Sequence, residues 1–188
     1  MAQLNASELR AGAVFSSDGA LWQVITYEHN KMGRGSGTIK VKVKNLRSGS
    51  ITEKSFITGA RVEEGDVEKK KAQYLYSDGE IYNFMDPVSF EQFTISKQIL
   101  GDTAKFLQEG LEVQLIASGD EALGIELPMS LIYTISETGP EEKGNTVSNV
   151  YKEAVLDNGL LVKVPMFMHE GDRVKIDTRT GSYVERVK

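Results

Sequence analysis

Apolar and polar residues alternate in short runs along this chain, and the runs come in pairs joined by glycine-containing turns. Successive side chains of a strand point to opposite faces, so such alternation predicts strands with one buried face. Two such runs around a Gly-containing turn predict a hairpin. Ala13 to Phe15 and Leu21 to Thr26 flank Ser17-Asp18-Gly19, and Tyr74 to Tyr76 and Ile81 to Phe84 flank Ser77-Asp78-Gly79. Glu112 to Ala117 and Leu123 to Leu127 flank Gly119-Asp120-Glu121, while Glu153 to Leu156 and Leu160 to Val164 flank Asp157-Asn158-Gly159. A last hairpin runs from Val174 to Val187 around Thr178-Arg179-Thr180-Gly181. Only Asp102 to Glu109 reads as helix. Asp102 is its expected N-cap, Phe106 and Leu107 lie on its apolar face, Gly110 ends it, and it is short enough to plug the end of a barrel. The pattern predicts an all-β chain of small barrels or sandwiches rather than alternating strand and helix units.

Turn residues and a shift in charge place boundaries near Gly65-Asp66 and near Pro128, giving segments 1–64, 65–128 and 129–188. The second and third segments each open with a turn-rich stretch and end in a strong hairpin, as two copies of one barrel plan would. With 40% hydrophobic and 26% charged residues in 188, the chain can bury a core. It has no cysteine, which excludes disulfides, thiolate metal sites and cysteine nucleophiles. No apolar stretch approaches the roughly 20 residues that span a bilayer, and the opening MAQLNASELRAG lacks the basic and apolar regions of a signal peptide. A cytoplasmic protein is expected.

The net charge of −5 argues against nucleic acid, because phosphate neutralisation dominates such binding. The charge is uneven, however: +3 over 1–64, −7 over 65–128 and −1 over 129–188. His29 to Ile51 holds no acidic residue, while Lys31, Arg34, Lys40, Lys42, Lys44 and Arg47 supply six positive charges. Strict alternation from Thr38 to Lys44 predicts a strand with Ile39, Val41 and Val43 inward and Lys40, Lys42 and Lys44 outward as a basic face. Just before it lies Lys31-Met32-Gly33-Arg34-Gly35-Ser36-Gly37. Glycines at alternate positions leave no bulky side chain to pack this segment down, so Arg34 is expected to protrude from the tip of a long hairpin, with several donors for phosphate or base edges. The plain alternative is an edge strand whose lysines only block edge-to-edge pairing, beside a flexible turn.

Other chemistry is weakly represented. His29 and His169 are the only histidines and lack carboxylates at ligand spacing, so surface positions and no metal are expected. Glu68 to Lys71 reads as a solvated strand start. Gly33-Arg34-Gly35 is only loosely like a phosphate-cradling loop, because neither G-K-[ST] nor a helical pattern follows it. No catalytic constellation stands out, which favours a binding protein without cofactors over an enzyme acting on a phosphorylated ligand. A general single-stranded RNA-binding OB-fold protein is the alternative binding class. It needs aromatic platforms beside basic residues, and the lysine strand contains none.

Longer motifs are more specific. The run Leu161-Val162-Lys163-Val164-Pro165-Met166-Phe167, followed by Gly171 to Val187 with Asp177, Arg179, Gly181, Tyr183 and Arg186, closely resembles the signature of bacterial elongation factor P. Earlier matches run in the same order: Leu9-Arg10-Ala11-Gly12, the loop around Gly33-Arg34-Gly35, Tyr74-Leu75-Tyr76, Asp78-Gly79-Glu80, Phe84-Met85, Phe90-Glu91-Gln92 and Gly101 to Lys105. The resemblance spans nearly the whole chain. It implies an SH3-like (KOW-type) barrel followed by two OB-fold barrels in an L-shaped, tRNA-like monomer. It also implies binding to the ribosome between the P and E sites at polyproline stalls, with the first-domain loop near the CCA end of the peptidyl-tRNA. Arg34 then becomes the tip and possible modification site, and Lys31, Met32, Gly33 and Gly35 become its support. Gly144, Asn145 and Thr146 take the position of a loop that meets the small subunit and mRNA in the E site. Many members have lysine at the tip and proline where Met32 stands. Arg34 excludes lysine-type modification here and leaves open whether it carries rhamnose or works bare.

Overall fold

The computed structural model describes residues 3–30, 37–139 and 151–188. Strands dominate, and they form three antiparallel sheets in chain order. The first sheet contains β1 (Gln3–Asn5), β2 (Val14–Ser17), β3 (Ala20–Asn30), β4 (Thr38–Asn45), β5 (Ile51–Ile57) and β6 (Arg61–Glu64), in the spatial order β1-β6-β2-β3-β4-β5. The middle sheet contains β7 (Glu68–Ser77), β8 (Ile81–Met85) and β9 (Gln92–Ser96), then β10 (Glu112–Ser118) and β11 (Glu121–Glu126), ordered β11-β10-β7-β8-β9. The last contains β12 (Ser130–Thr138), β13 (Tyr151–Leu156), β14 (Leu161–Pro165), β15 (Arg173–Asp177) and β16 (Ser182–Val187), ordered β14-β13-β12-β15-β16. Each sheet curls into a half-barrel around its own apolar face, which agrees with the expected all-β class.

The local chemistry of the hairpins follows from their turns. Asp18 and Gly19 both have positive φ, 55° and 72°, as a two-residue turn between β2 and β3 requires, and Ser17 pairs directly with Ala20. Asp78 Oδ1 accepts from the backbone N–H of Glu80 and of Ile81, at 2.9 and 2.8 Å, and so holds the β7–β8 turn. The inward residues of β4, Ile39, Val41 and Val43, are at most 1% exposed and join Phe15, Val24 and Leu9 in the first core. In the middle half-barrel Tyr74, Phe84, Phe93, Val113 and Leu115 are buried.

The helical segment begins earlier than its sequence suggests. A single α-turn, α1 (Lys97–Leu100), starts after Ser96, whose hydroxyl accepts from Ile99 N, and closes at Gly101. A 3-10 stretch, Gly101–Phe106, follows. Asp102 is therefore not the N-cap. Its side chain faces solvent, with Lys105 Nζ 3.8 Å away, because Ser96 already supplies the cap where the chain leaves β9. Phe106 is buried as expected, but among Tyr133, Ile135, Val162, Met168 and Val174 of the last half-barrel, and its carbonyl accepts from Tyr133 Oη at 2.5 Å. Two compact units result, one of 1–101 with 112–126 and one of 102–111 with 127–188.

Burial pushes the Tyr133 phenol above its ordinary pKa, with the Asp157 charge adding to the effect, so it stays a donor. Tyr133→Phe removes the buried hydrogen bond to the Phe106 carbonyl and is expected to lower stability by about 1–3 kcal/mol, read as a lower urea midpoint with unchanged slope.

Candidate nucleic-acid interface

The β3–β4 ladder is the longest in the first sheet, running from Trp22 opposite Asn45 to Asn30 opposite Thr38, with one bulge between Val24 and Thr26. Its two strands remain paired up to the point where residues 31–37 join them. Lys31, Met32, Gly33, Arg34 and Gly35 lie outside the described residues, as do Gly144, Asn145 and Thr146.

β4 is bonded on one side to β3 and on the other to β5, so it is an interior strand. Its lysines have no exposed backbone edge to guard, which removes the edge-blocking explanation for them. Lys40 and Lys42 are exposed on the outer face as expected. Lys44 departs from that expectation. It is half-buried, its Nζ donates to the Leu100 carbonyl at 3.4 Å, and burial pulls its pKa down. Arg47 is also engaged, with Nη2 3.1 Å from Glu121 Oε2.

The positive face is also less isolated than the sequence run implies. Lys40 pairs in register with Glu28 on β3, and Lys42 with Glu53 on β5. These are the acidic residues that bracket the acid-free run, and folding returns them to the same surface. Cross-strand neighbours sit close enough for opposite charges to offset each other, so β4 alone is a weak anion site. His29 and His169 are exposed, and no group of three metal-ligating side chains occurs among the described residues.

The C-terminal motif builds structure. Asp177 accepts from the backbone N–H of Arg179 at 2.8 Å and of Thr180 at 3.3 Å, and from the Arg179 guanidinium through Nε at 3.3 Å and Nη2 at 2.7 Å. Gly181 N closes the same turn onto the Asp177 carbonyl at 2.8 Å. Arg186 Nη2 holds Asp172 at 2.5 Å, and Tyr183 packs against the last core. The Arg179 hydrogen bond, chiefly, holds the Asp177 carboxyl down at about 2.

Family models for elongation factor P match the chain in three consecutive blocks: the KOW-like domain over residues 5–62, the OB domain over 67–125 and the C-terminal domain over 132–186. The chain belongs to the elongation factor P family. Relatives named elongation factor P are similar along almost the full length. The Pelotomaculum thermopropionicum protein is 38% identical over 98% of this chain and 100% of its own. That of Natranaerobius thermophilus is 37% identical over 98% of each, and that of Acaryochloris marina 38% identical over 97% of this chain and 99% of its own. Among solved structures, the eukaryotic translation initiation factor 5A from Methanococcus jannaschii aligns with TM-score 0.46 at 23% identity, covering 67% of this chain and 92% of that one. The elongation factor P family acts in translation elongation, and its KOW-like block here contains β4 and the Arg34 segment.

The pattern of engaged residues missed by sequence reasoning is a seam inside the first unit. Gln23 and Lys69 both reach Glu126, at 3.4 and 2.8 Å, and Val14, Leu46, Ile116 and Leu123 bury together beside them. One signal was present: Leu115, Ile116 and Ala117 are consecutive apolar residues, and an uninterrupted apolar run marks a strand covered on both faces.

Two outcomes follow from this geometry. For nucleic acid bound on this face, Lys40→Gln and Lys42→Gln each reduce the slope of log affinity against log salt by about 0.7–0.9, whereas Lys44→Gln leaves it unchanged, as read by salt titration. A carboxyl held below its ordinary value of 3.8 contributes stability above that value and loses it as pH falls from there to about 2. Arg179→Ala is therefore expected to raise the Asp177 titration midpoint toward 3.8, measured by carboxyl-carbon NMR.

Proposed function

We propose that this family member is a cytoplasmic, monomeric, cofactor-free factor that binds the ribosome between the P and E sites and promotes peptide-bond formation at consecutive prolines. The observation that carries the reading is the β3–β4 ladder, paired through to Asn30 and Thr38 where the glycine-flanked Arg34 segment is inserted, in a chain matched in three consecutive blocks by elongation factor P models. Two paired strands are a stiff base for a short segment whose guanidinium is always protonated and offers several donors to a phosphate.

The chemistry stays with the ribosome. Proline is a constrained nucleophile, and a peptidyl-tRNA whose acceptor end wanders spends little time in a reactive geometry. Holding that end lowers the entropic part of the barrier with no covalent step. Arg34 supplies the fixed charge and Lys31 adds to it, while Gly33 and Gly35 let the backbone approach closely. The segment of Gly144, Asn145 and Thr146 contacts the small subunit and the mRNA in this reading.

A reconstituted translation reaction with a three-proline reporter and a proline-free control tests the proposal. The protein is expected to raise the yield of the first and leave the second unchanged. Arg34→Ala lowers the stimulation at least about tenfold, in line with loss of one positioning contact, with an unaltered melting temperature. Equal reporter yields with and without the protein would end the proposal.

A further inference from the structure

The turn that joins β4 to β5 is built to press against the middle half-barrel. Asn45 Oδ1 accepts from the backbone N–H of Arg47 and of Ser48, both at 2.9 Å, and Gly49 N donates to the Asn45 carbonyl at 2.9 Å, so the turn is closed from within. Its outer edge lies on the backbone of α1. Gln98 Nε2 donates to the Ser48 carbonyl at 3.1 Å, and a Cβ added to Gly49 would lie 2.4 Å from the Gln98 carbonyl oxygen and 3.1 Å from its carbon. Real Cβ atoms do not come so near, and the opposing atoms are main chain that cannot swing aside. Only a residue without a Cβ fits.

The surrounding contacts make this a rigid seat. Val14, Leu46, Ile116 and Leu123 bury between the two half-barrels, with Leu21 and Val67 against them. Around that apolar patch Lys44 reaches the Leu100 carbonyl, Arg47 meets Glu121, and Glu126 receives both Lys69 and Gln23. Adjacent domains move relative to each other by default unless a packed apolar interface prevents it.

β4 runs from this seat to the residues that carry the Arg34 segment. Asn45 lies at its seated end and Thr38 at the other. Seven residue steps of an antiparallel strand span about 24 Å, so a rotation of about 10° at the seat moves the far end by roughly 4 Å. Misplacing a group that organises a reaction by about 1 Å can cost on the order of a hundredfold in rate.

We propose that Gly49, through its close approach to the α1 backbone, is a positioning residue: it fixes the angle between the first two half-barrels and so the place at which the Arg34 segment is presented. The proposal rests on the reading of Arg34 given above.

A matched pair of variants tests it. Gly49 and Gly19 share a φ of +72°, but nothing lies within 4 Å of a Cβ added at Gly19. Asn tolerates positive φ, so Gly49→Asn and Gly19→Asn impose the same small backbone strain and differ in the clash. The chain has no cysteine, so nitroxide labels placed by T52C and T94C, both at exposed strand positions, report the inter-barrel distance by pulsed EPR. Gly49→Asn is expected to shift or broaden that distance by several ångströms and, at saturating factor, to lower the maximal rate on the three-proline reporter at least about tenfold. Gly19→Asn keeps both at the parent level. Gly49→Ala against Gly19→Ala supplies the same comparison with less bulk should the asparagine variant melt. A parent-like distance in the Gly49 variant, or an equal loss in both variants, overturns the proposal. If the parent protein leaves the reporter unmoved, the Arg34 reading fails, and the distance comparison alone decides whether Gly49 sets the junction.

Discussion

A β-sheet that covers only one of its faces leaves apolar side chains on the other exposed to water, and β10 cannot tolerate that. Leu115, Ile116 and Ala117 are all fully buried, so both faces of this strand must be covered. One faces the core of the middle half-barrel. The other meets Val14 and Leu46 of the first. Each large aliphatic side chain removed from water contributes about 1.5–3 kcal/mol, and the register shift opposite Ile116 and Ala117 leaves Leu123 as an extra residue on β11, where it joins the same apolar patch. Residues 3–101 and 112–126 thereby become one compact body, in which a short turn and a strand have a defined origin.

That body also explains which charges are available to a partner. A lysine ammonium is costly to bury, yet Lys44 is drawn beneath the surface because its carbonyl partner, Leu100, lies on the α1 side of the seam. Lys40 and Lys42, earlier along the same face of the strand, remain outside. Glu28 and Glu53 stand beside them, so the described surface around β4 has little net charge. Over its described residues, the acid-free run therefore folds into a surface of mixed charge.

The C-terminal motif separates recognition from contact. Asp177, Arg179, Gly181 and Arg186 are its most distinctive residues, and their polar groups are used within the turn or on Asp172. Thr178 Oγ1 adds a bond to the Pro128 carbonyl at 2.6 Å. What makes this stretch easy to identify is the demand of a tight, charged turn, and the residues proposed to touch RNA are elsewhere, in less ornate segments.

The sequence by itself determined the paired strands of the hairpins, most of their turns and the inward face of β4, whereas β1, β5, β6, β9 and β12 carried no hairpin signal. An Asp-Gly or Asn-Gly pair sets the backbone locally, and the period of Ile39, Val41 and Val43 needs no distant partner to be read. It also carried the family, through motifs that run in the family's order along the chain. Tertiary structure alone decided that β4 is an interior strand, that Lys44 leaves the basic face while Glu28 and Glu53 join it, that Ser96 rather than Asp102 starts the helical turn, and that Phe106 serves the last core. Each of these depends on which surface closes over which. Such closure is set by apolar area brought together from residues far apart in sequence, so no local window contains it.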